Sequence, residues 1–418
     1  MQIASVPDTT VNHAFYQPLR QALASSKSLW LCPELPDEEW MRMGVERVLE
    51  ASPSGRAFLQ EHGPRFEKVP TTCNYFAALR SARRGQLVRE VGISVVDSLE
   101  HRLKDRLSAI PELEGYACFA ADGHWHRSAA HDPRHEGVKM AVGHFYRLNL
   151  RTHTLEHLAA GQGWHEHDMS ALKRVKPKGL RRGVAKGTRV LLVYDKAGID
   201  LKFWKRCRQE CAIYFVSRLK ENMTMEWVED VLLEQKDPRN HGVLFDWKVR
   251  SRDGQVFRVV TYQEPVKGEV FEFLTNQLDL PAGVIVELYH RRWEVEKVFD
   301  ELKNKLGQTR AWGTSLTARE MQAQLMALTH NLLLAYEQVL EERHEVSNGP
   351  EDRRRNQRLQ AMHRQCTLER TPVSRLLLLT RRATQRGVKF IRWLRQSLRD
   401  HLAEALAVAR LRALYARL

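Results

Sequence analysis

Tyr289, Arg292, Glu296 and Lys303 lie in one short stretch of chain and have the types and spacing to act on a phosphodiester. Residues 287–303 read Glu-Leu-Tyr-His-Arg-Arg-Trp-Glu-Val-Glu-Lys-Val-Phe-Asp-Glu-Leu-Lys. A helical step of about 100° per residue puts Leu288, Val295, Phe299, Leu302 and Leu306 on a core stripe. The same step turns Glu287, Glu294, Glu301 and Lys305 toward solvent. Tyr289, Arg292, Glu296 and Lys303 then share an arc of roughly 60° on the border of the buried face, where an ordinary amphipathic helix carries small or apolar residues. A carboxylate flanked by two cations and a phenol can hold a phosphate beside a metal. The plainer alternative is an i,i+4 ion pair of Arg292 with Glu296, shielded by an aromatic. One glutamate cannot hold divalent cations alone, so the chemical reading demands more carboxylates; Asp300, a turn beyond Glu296, is a competitor.

Two aspartates stand at the ends of strand-like runs. Asp122 follows Tyr116–Ala121 and precedes a turn glycine, Gly123; Asp195 closes Arg-Val-Leu-Leu-Val-Tyr-Asp before a loop and a helix. A carboxylate at the C-terminal end of a buried strand stands at the rim of the sheet, where α/β sites form. A turn or capping aspartate is the alternative for either one alone. Three carboxylates in one domain would suit two Mg²⁺ ions, which take oxygen ligands and, as a pair about 3.5–4 Å apart, act on both the attacking and the leaving oxygen.

The elements that must position these groups form an α/β chain. Residues 1 to about 110 read as helical, with segments near Glu38–Ala51, Asn74–Glu90 and Ser94–Ile110. Tyr116–Ala121, Gly143–Leu150, Val190–Tyr194 and Ile213–Arg218 have strand character, with a helix at Leu201–Glu210. Val243–Val249, Val256–Tyr262 and Glu269–Thr275 look like a β-rich insertion, with Arg252-Asp253-Gly254 as a hairpin turn. Helices follow over about 282–306 and 316–342, then an Arg-rich helical tail. The expected division is a helical N-terminal DNA-binding domain (1–112), a catalytic core (113–220 and 281–345), a β-rich insertion (221–280) and an Arg-rich helical C-terminal region (346–418).

Charge points to the partner. The 418 residues carry a net +15, and residues 351–418 hold 17 Lys and Arg against 5 Asp and Glu, so most of the excess lies in the tail. Lys173–Arg189 has eight basic residues, Lys176 and Arg181 among them, and no acid; Arg65–Arg89 gathers Arg80, Arg83 and Arg84 with three more. Localised positive charge on an otherwise ordinary composition suggests a polyanion, most often nucleic acid. The Arg80–Arg89 helix is the candidate for reading DNA ends. The Lys173–Arg189 segment either lies along bound DNA or is a surface loop. No apolar run is long enough to span a bilayer and no signal-peptide pattern opens the chain, so the expectation is a cytoplasmic, nucleoid-associated protein without a membrane partner.

Other constellations give less. Six scattered cysteines show no CxxC pairing or disulfide framework. His124, His126, His131, His135, His144, His165 and His167 are plentiful but lack zinc-site spacing, and read as solvated or phosphate-facing. No P-loop occurs.

With these residues in place, the chain resembles the DDE transposases of bacterial insertion sequences, specifically the insertion-sequence-four family. Tyr289, Arg292, Glu296 and Lys303 reproduce that family's Tyr-(2)-Arg-(3)-Glu-(6)-Lys signature. Leu274-Thr275-Asn276, Asp279 and Ser217-Arg218-Leu219-Lys220 supply further context, and the likeness covers roughly residues 115–340. It implies a ribonuclease-H-like core in which Asp122, Asp195 and Glu296 are catalytic and bind two Mg²⁺ or Mn²⁺ ions. It implies phosphate contacts from Tyr289, Arg292 and Lys303, and a dimer that synapses two terminal inverted repeats. The implied reaction is hydrolysis at each end, then attack of the freed 3′-hydroxyl on target DNA. Relatives pass through a DNA hairpin and hold a flipped base with aromatics of the insertion; Trp247 and Tyr262 are the counterparts to consider. His124 stands where relatives often carry Thr or Ser, and Lys196 follows Asp195.

Cut-and-paste transposition is thus the expected function. A nuclease of the same fold that cuts without joining, and a non-catalytic domesticated DNA-binding protein, are the competing classes.

Overall fold

A computed structural model of the chain describes residues 9–27, 30, 34–129, 141–161, 166–376 and 385–416. His131, His135 and His165 lie outside the described residues. The strands are β1 (Tyr116–Arg127), β2 (Ala141–Asn149), β3 (Leu155–Ala160), β4 (Arg189–Val193), β5 (Ile213–Arg218), β6 (Glu226–Asp230), β7 (Val243–Arg250), β8 (Val256–Gln263) and β9 (Val270–Thr275). The described strands form one nine-stranded sheet in the order β3-β2-β1-β4-β5-β9-β8-β7-β6. β1 to β3 are an antiparallel meander, whereas β4 pairs in parallel with β1 and β5 in parallel with β4. β9 joins β5 antiparallel. The β-rich segment therefore prolongs one edge of the same sheet.

The parallel centre is apolar throughout: Val190, Leu191, Leu192 and Val193 are all fully buried, as a strand covered on both faces requires. Period-2 alternation sends Cys118, Ala120, Leu191 and Val193 to one face, in the main core. It sends Phe119, Ala121, Val190 and Leu192 to the other, against α6 (Asp168–Leu180) and α7 (Leu201–Cys211). α7 starts at Asp200, whose side chain accepts from the Phe203 amide at 2.9 Å, a typical N-cap.

The first face carries α8 (Ala282–Arg291), α9 (Trp293–Asp300) and the long α10 (Leu316–His344). α8 and α9 run on through Arg292, whose backbone stays helical at φ −52° and ψ −37°. Beyond Asp300 the helix widens into a π turn over Glu301–Lys305, where the Leu306 amide donates to Glu301 O. α10 is buried almost all round, from Met321 to Tyr336.

Among the described residues, five α-helices precede the sheet: α1 (Val11–Ala24), α2 (Asp37–Glu50), α3 (Gly55–His62), α4 (Thr72–Leu79) and α5 (Ala82–Glu100). The expected Asn74–Glu90 helix is in fact broken at Arg80-Ser81, because the Ser81 hydroxyl caps a new helix by accepting from the Arg84 amide. α1 lies in the stretch expected to be helical, ahead of the three segments named there. α11 (Gly349–Leu368), α12 (Val388–Arg399) and α13 (Glu404–Ala416) close the chain. Phe15 of α1, Val95 of α5, Leu333 of α10 and Leu394 of α12 belong to one apolar cluster with the sheet. The terminal helical regions share the core of the body they flank.

Two local expectations are corrected. Gly123 is not a turn residue: β1 continues to Arg127, so Asp122 lies mid-strand. Glu287, Glu294 and Glu301 do not face solvent but are 2%, 0% and 3% exposed. Arg291, fully buried, pairs with Glu287 at 3.0 Å and Glu294 at 3.5 Å, and Glu301 pairs with Arg386 at 2.5 Å.

Candidate active site

Strand register brings the two aspartates together. β1 and β4 pair in parallel from Tyr116 with Arg189 to Ala120 with Val193. Continued two residues, that register sets Asp122 beside Asp195, both on the face that carries α9. Asp122 is where β1 runs on after β4 stops. Each aspartate accepts a neighbouring backbone N–H at Oδ1: Asp122 from Gly123 at 2.8 Å, Asp195 from Lys196 at 2.7 Å.

The helix supplies the third carboxylate and a cation. Arg292 Nη1 donates to Glu296 Oε1 at 2.5 Å and to Asp122 Oδ2 at 3.3 Å. The i,i+4 ion pair therefore exists, but it also reaches across to the sheet. Arg292 is nearly buried, while the Asp122 and Glu296 side chains keep 18% and 33% of their exposure, enough for a ligand to reach them. Burial works against the Arg292 charge, but Tyr289, Glu296 and Asp122 outweigh it and raise its pKa. Tyr289 packs on Phe273 with ring centroids 4.6 Å apart. Its phenol is pushed up by burial, against the pull of Arg292, and Asp195 adds to the rise. Tyr289, Arg292, Asp122, Asp195 and Glu296 thus converge on one end of the β1–β4 pair.

Lys303 reaches the same region by a different route from the one the helical wheel gives. It is exposed on the π turn, and π turns rephase a helix, frequently at functional sites. Its charge acts on His124, which burial and Lys303 together hold down to about 4. His124 begins a run of imidazoles, the first three buried: ring centroids are 4.7 Å apart to His126, 5.3 Å from His126 to His144 and 5.4 Å from His144 to half-buried His157. These histidines are neither solvated nor phosphate-facing, since His124, His126 and His144 are at most 6% exposed.

Asp122, Asp195 and Glu296 offer only oxygen donors, the kind Mg²⁺ prefers, and a positive group already stands between Asp122 and Glu296. In chemical type they fit a divalent cation. Among the described residues no three His, Cys, Asp or Glu side chains are already gathered around one point as a metal site; the Arg292 guanidinium holds the centre.

The other expected DNA contacts divide. Arg80 is exposed at the end of α4, and Lys176 is exposed at a kink in α6, where its φ is 61°. Arg83 instead makes two 2.7 Å bonds to Asp37. Arg84 is buried, donates to Leu35 O at 2.8 Å and lies over Trp40, so it cannot reach a base edge. Arg181 ties down the carbonyls of Cys211, Ala185 and Thr188. Trp247 is half-buried beside Phe245, with ring centroids 5.4 Å apart. Tyr262 is 2% exposed and meets His290 edge-on, so it is not available to hold a base.

Trp293 went unnoticed in the sequence. It is 55% exposed, and the Arg292 guanidinium lies 5.2 Å from its ring. Its signal was an aromatic inside the polar border of the helix.

The family model described as a transposase DDE domain matches residues 93–332. No curated protein matches the chain. Among solved structures, the cryo-EM structure of the piggyBac transposase synaptic complex with hairpin DNA aligns with 96% of this chain and 79% of its own. The identity is 12% and the TM-score 0.36.

Proposed function

The chain belongs to the transposase DDE domain family, and on that premise we propose that it cuts DNA at the ends of a mobile element and joins the freed ends to target DNA. The observation that carries the reading is that the β1–β4 register sets Asp122 beside Asp195 while Arg292 bridges Asp122 and Glu296.

Asp122, Asp195 and Glu296 are the catalytic carboxylates in this reading and the residues that would hold two Mg²⁺ (or Mn²⁺) ions. Bound there, the ions would supply Lewis-acid stabilisation of the phosphoryl oxygens and a more acidic water. Arg292 keeps Asp122 and Glu296 together before the ions arrive, since two carboxylates so placed repel without a cation. Once the carboxylates are neutralised by other cations, its fork is available to a phosphate oxygen. Tyr289 keeps its proton at neutral pH and donates to a phosphate, and Lys303 contributes a mobile point charge from the π turn.

The strand order β3-β2-β1-β4-β5, with its meander followed by two parallel strands, supports a ribonuclease-H-like core. The Tyr289, Arg292, Glu296 and Lys303 spacing supports membership of the insertion-sequence-four group. In this reading residues 113–220 and 281–345 are the catalytic core and 221–280 an insertion. Residues 1–112 and 346–418 are DNA- or partner-binding flanks, and the active form is a homodimer that synapses two terminal inverted repeats. Trp247, half-buried beside exposed Phe245, is the aromatic of the insertion assigned to meet a DNA base, as a hairpin intermediate would need.

A labelled duplex ending in the element's inverted repeat tests the proposal. The protein should nick it at the end in Mg²⁺, and a pre-cut end should be joined to plasmid DNA. Cutting without joining would favour a nuclease; binding without cutting would favour a domesticated DNA-binding protein.

A further inference from the structure

Arg292 serves two carboxylates with a single nitrogen. Its Nη1 donates to Glu296 Oε1 at 2.5 Å and to Asp122 Oδ2 at 3.3 Å. Those acceptors belong to different elements, α9 and β1, so the guanidinium stands in the gap that any cation joining them must enter. The rest of the group is enclosed. Its side chain keeps 7% of its exposure, and the rings of Tyr289 and Trp293 lie 5.6 Å and 5.2 Å from it. Its Nε is buried and has no hydrogen-bond partner among the described residues. A buried donor left open in this way calls for an acceptor.

Two demands on Arg292 therefore conflict. A divalent cation shared by Asp122 and Glu296 takes away both of its acceptors, and an enclosed guanidinium is costly to leave unpaired. A phosphate at the Nε edge offsets that cost, because arginine can give phosphate two parallel N–H bonds. With the fork turned to a phosphate, Asp122 and Glu296 are left on either side of the vacated gap, and their mutual repulsion favours a replacement cation. One side chain thus links two ligands, and such linkage is reciprocal. Whatever factor the phosphate adds to the affinity for the cation, the cation adds to the affinity for the phosphate.

We propose that Arg292 is an interlock: it occupies the place of a divalent cation between Asp122 and Glu296 until a DNA phosphate takes its fork, so the carboxylates bind metal tightly only with DNA in place. The interlock rests on the functional reading above and goes beyond it by making metal affinity depend on DNA.

Mn²⁺ binding, read by calorimetry and by loss of the free-ion paramagnetic resonance signal, tests it without turnover. Free of DNA, Arg292→Gln and Arg292→Ala should each bind Mn²⁺ about tenfold more tightly than the wild type, and adding Glu296→Gln should remove the gain. Thermal unfolding without metal shows which of the two variants is folded and fit for comparison. The wild type should gain about tenfold from a duplex carrying the scissile phosphate. A neutral methylphosphonate at that position should abolish the gain, and Arg292→Gln should not distinguish the two duplexes. Equal Mn²⁺ affinity in the wild type and the folded Arg292 variants without DNA overturns the interlock. So does a gain that persists without Glu296, or a wild-type affinity that the two duplexes raise equally. The DNA-free comparison stands whatever the protein does to DNA, while nicking by the wild type, assayed in parallel, reports separately on the functional reading.

Discussion

Arg292 and Glu296 lie one helical turn apart and share a 2.5 Å hydrogen bond, and the same Arg292 nitrogen also reaches Asp122 on the sheet. A helix-surface ion pair would contribute only a few tenths of a kcal/mol and ignore the rest of the molecule. This one is nearly buried on the arginine side and links α9 to β1, so it sets the distance between two of the three carboxylates.

Arg292 should therefore resist conservative replacement. Arg292→Lys keeps the charge but loses the fork that touches two carboxylates. Single-turnover cleavage should fall by about a hundredfold or more, the scale of losing one preorganised electrostatic contact. Binding to the end duplex should weaken far less. Equal losses in both would show that Arg292 only holds DNA.

The buried histidines make stability sensitive to acid. Burial holds His126 and His157 down to about 3, against about 6.5 when unfolded. The unfolded chain then takes up protons that the native one refuses. The stability is intact above pH 6.5 and is lost as pH falls toward 3. Each such histidine should cost about 2 kcal/mol at pH 5 relative to pH 7.5, measurable by urea unfolding. His126→Phe should flatten the decline, and an unaltered decline would remove His126 as a cause.

Glu301 and Arg386 pair at 2.5 Å with both side chains buried, and Arg386 also reaches Glu337 at 2.8 Å. Removing one partner strands a charge in the interior. Arg386→Ala should destabilise the fold by about 3–5 kcal/mol, visible as a lowered melting temperature. Glu301 opens the π turn that carries Lys303, so a milder Arg386→Lys protein should lose cleavage at temperatures where it remains folded.

The basic tail should act through α11. Arg395 donates to Lys305 O, Arg399 is bonded to Glu50, and Arg412 donates to His344 O. Those charges are committed to the body, and deleting residues 351–418 would remove core residues such as Phe390 and Leu394. Arg353, Arg354, Arg358 and Arg364 are exposed along α11. Replacing all four with alanine should lower DNA affinity and its salt dependence while leaving the melting temperature within a degree or two. A large fall in melting temperature with unaltered affinity would assign them to structure.

The sequence was most readable where a pattern has a single physical meaning. The runs at 190–194, 213–218 and 243–275 are short, apolar or alternating, and they fold as strands within a residue or two of the expected bounds. The α8–α9 helix shows its special edge because polar residues stand where apolar ones belong. The opposite edge was misread: Glu287, Glu294 and Glu301 are acidic at helical spacing whether they face water or buried arginines, and their partner Arg386 is far along the chain. The internal partners of Arg83, Arg84 and Arg181 are hidden for the same reason, since a charge in sequence does not reveal an internal acceptor. The π turn at Glu301–Lys305 leaves no periodic trace, because it is held by tertiary contacts such as the Glu301–Arg386 pair.

The central claim is that Asp122, Asp195 and Glu296 act together in metal-dependent strand cleavage. The direct measurement is single-turnover nicking of a labelled end duplex in Mg²⁺ by the wild type and by Asp122→Asn, Asp195→Asn and Glu296→Gln, with end binding measured alongside. The account predicts that each substitution abolishes nicking while binding persists, and that chelating Mg²⁺ does the same to the wild type. Nicking that survives any one of the three substitutions, or survives chelation, would contradict it.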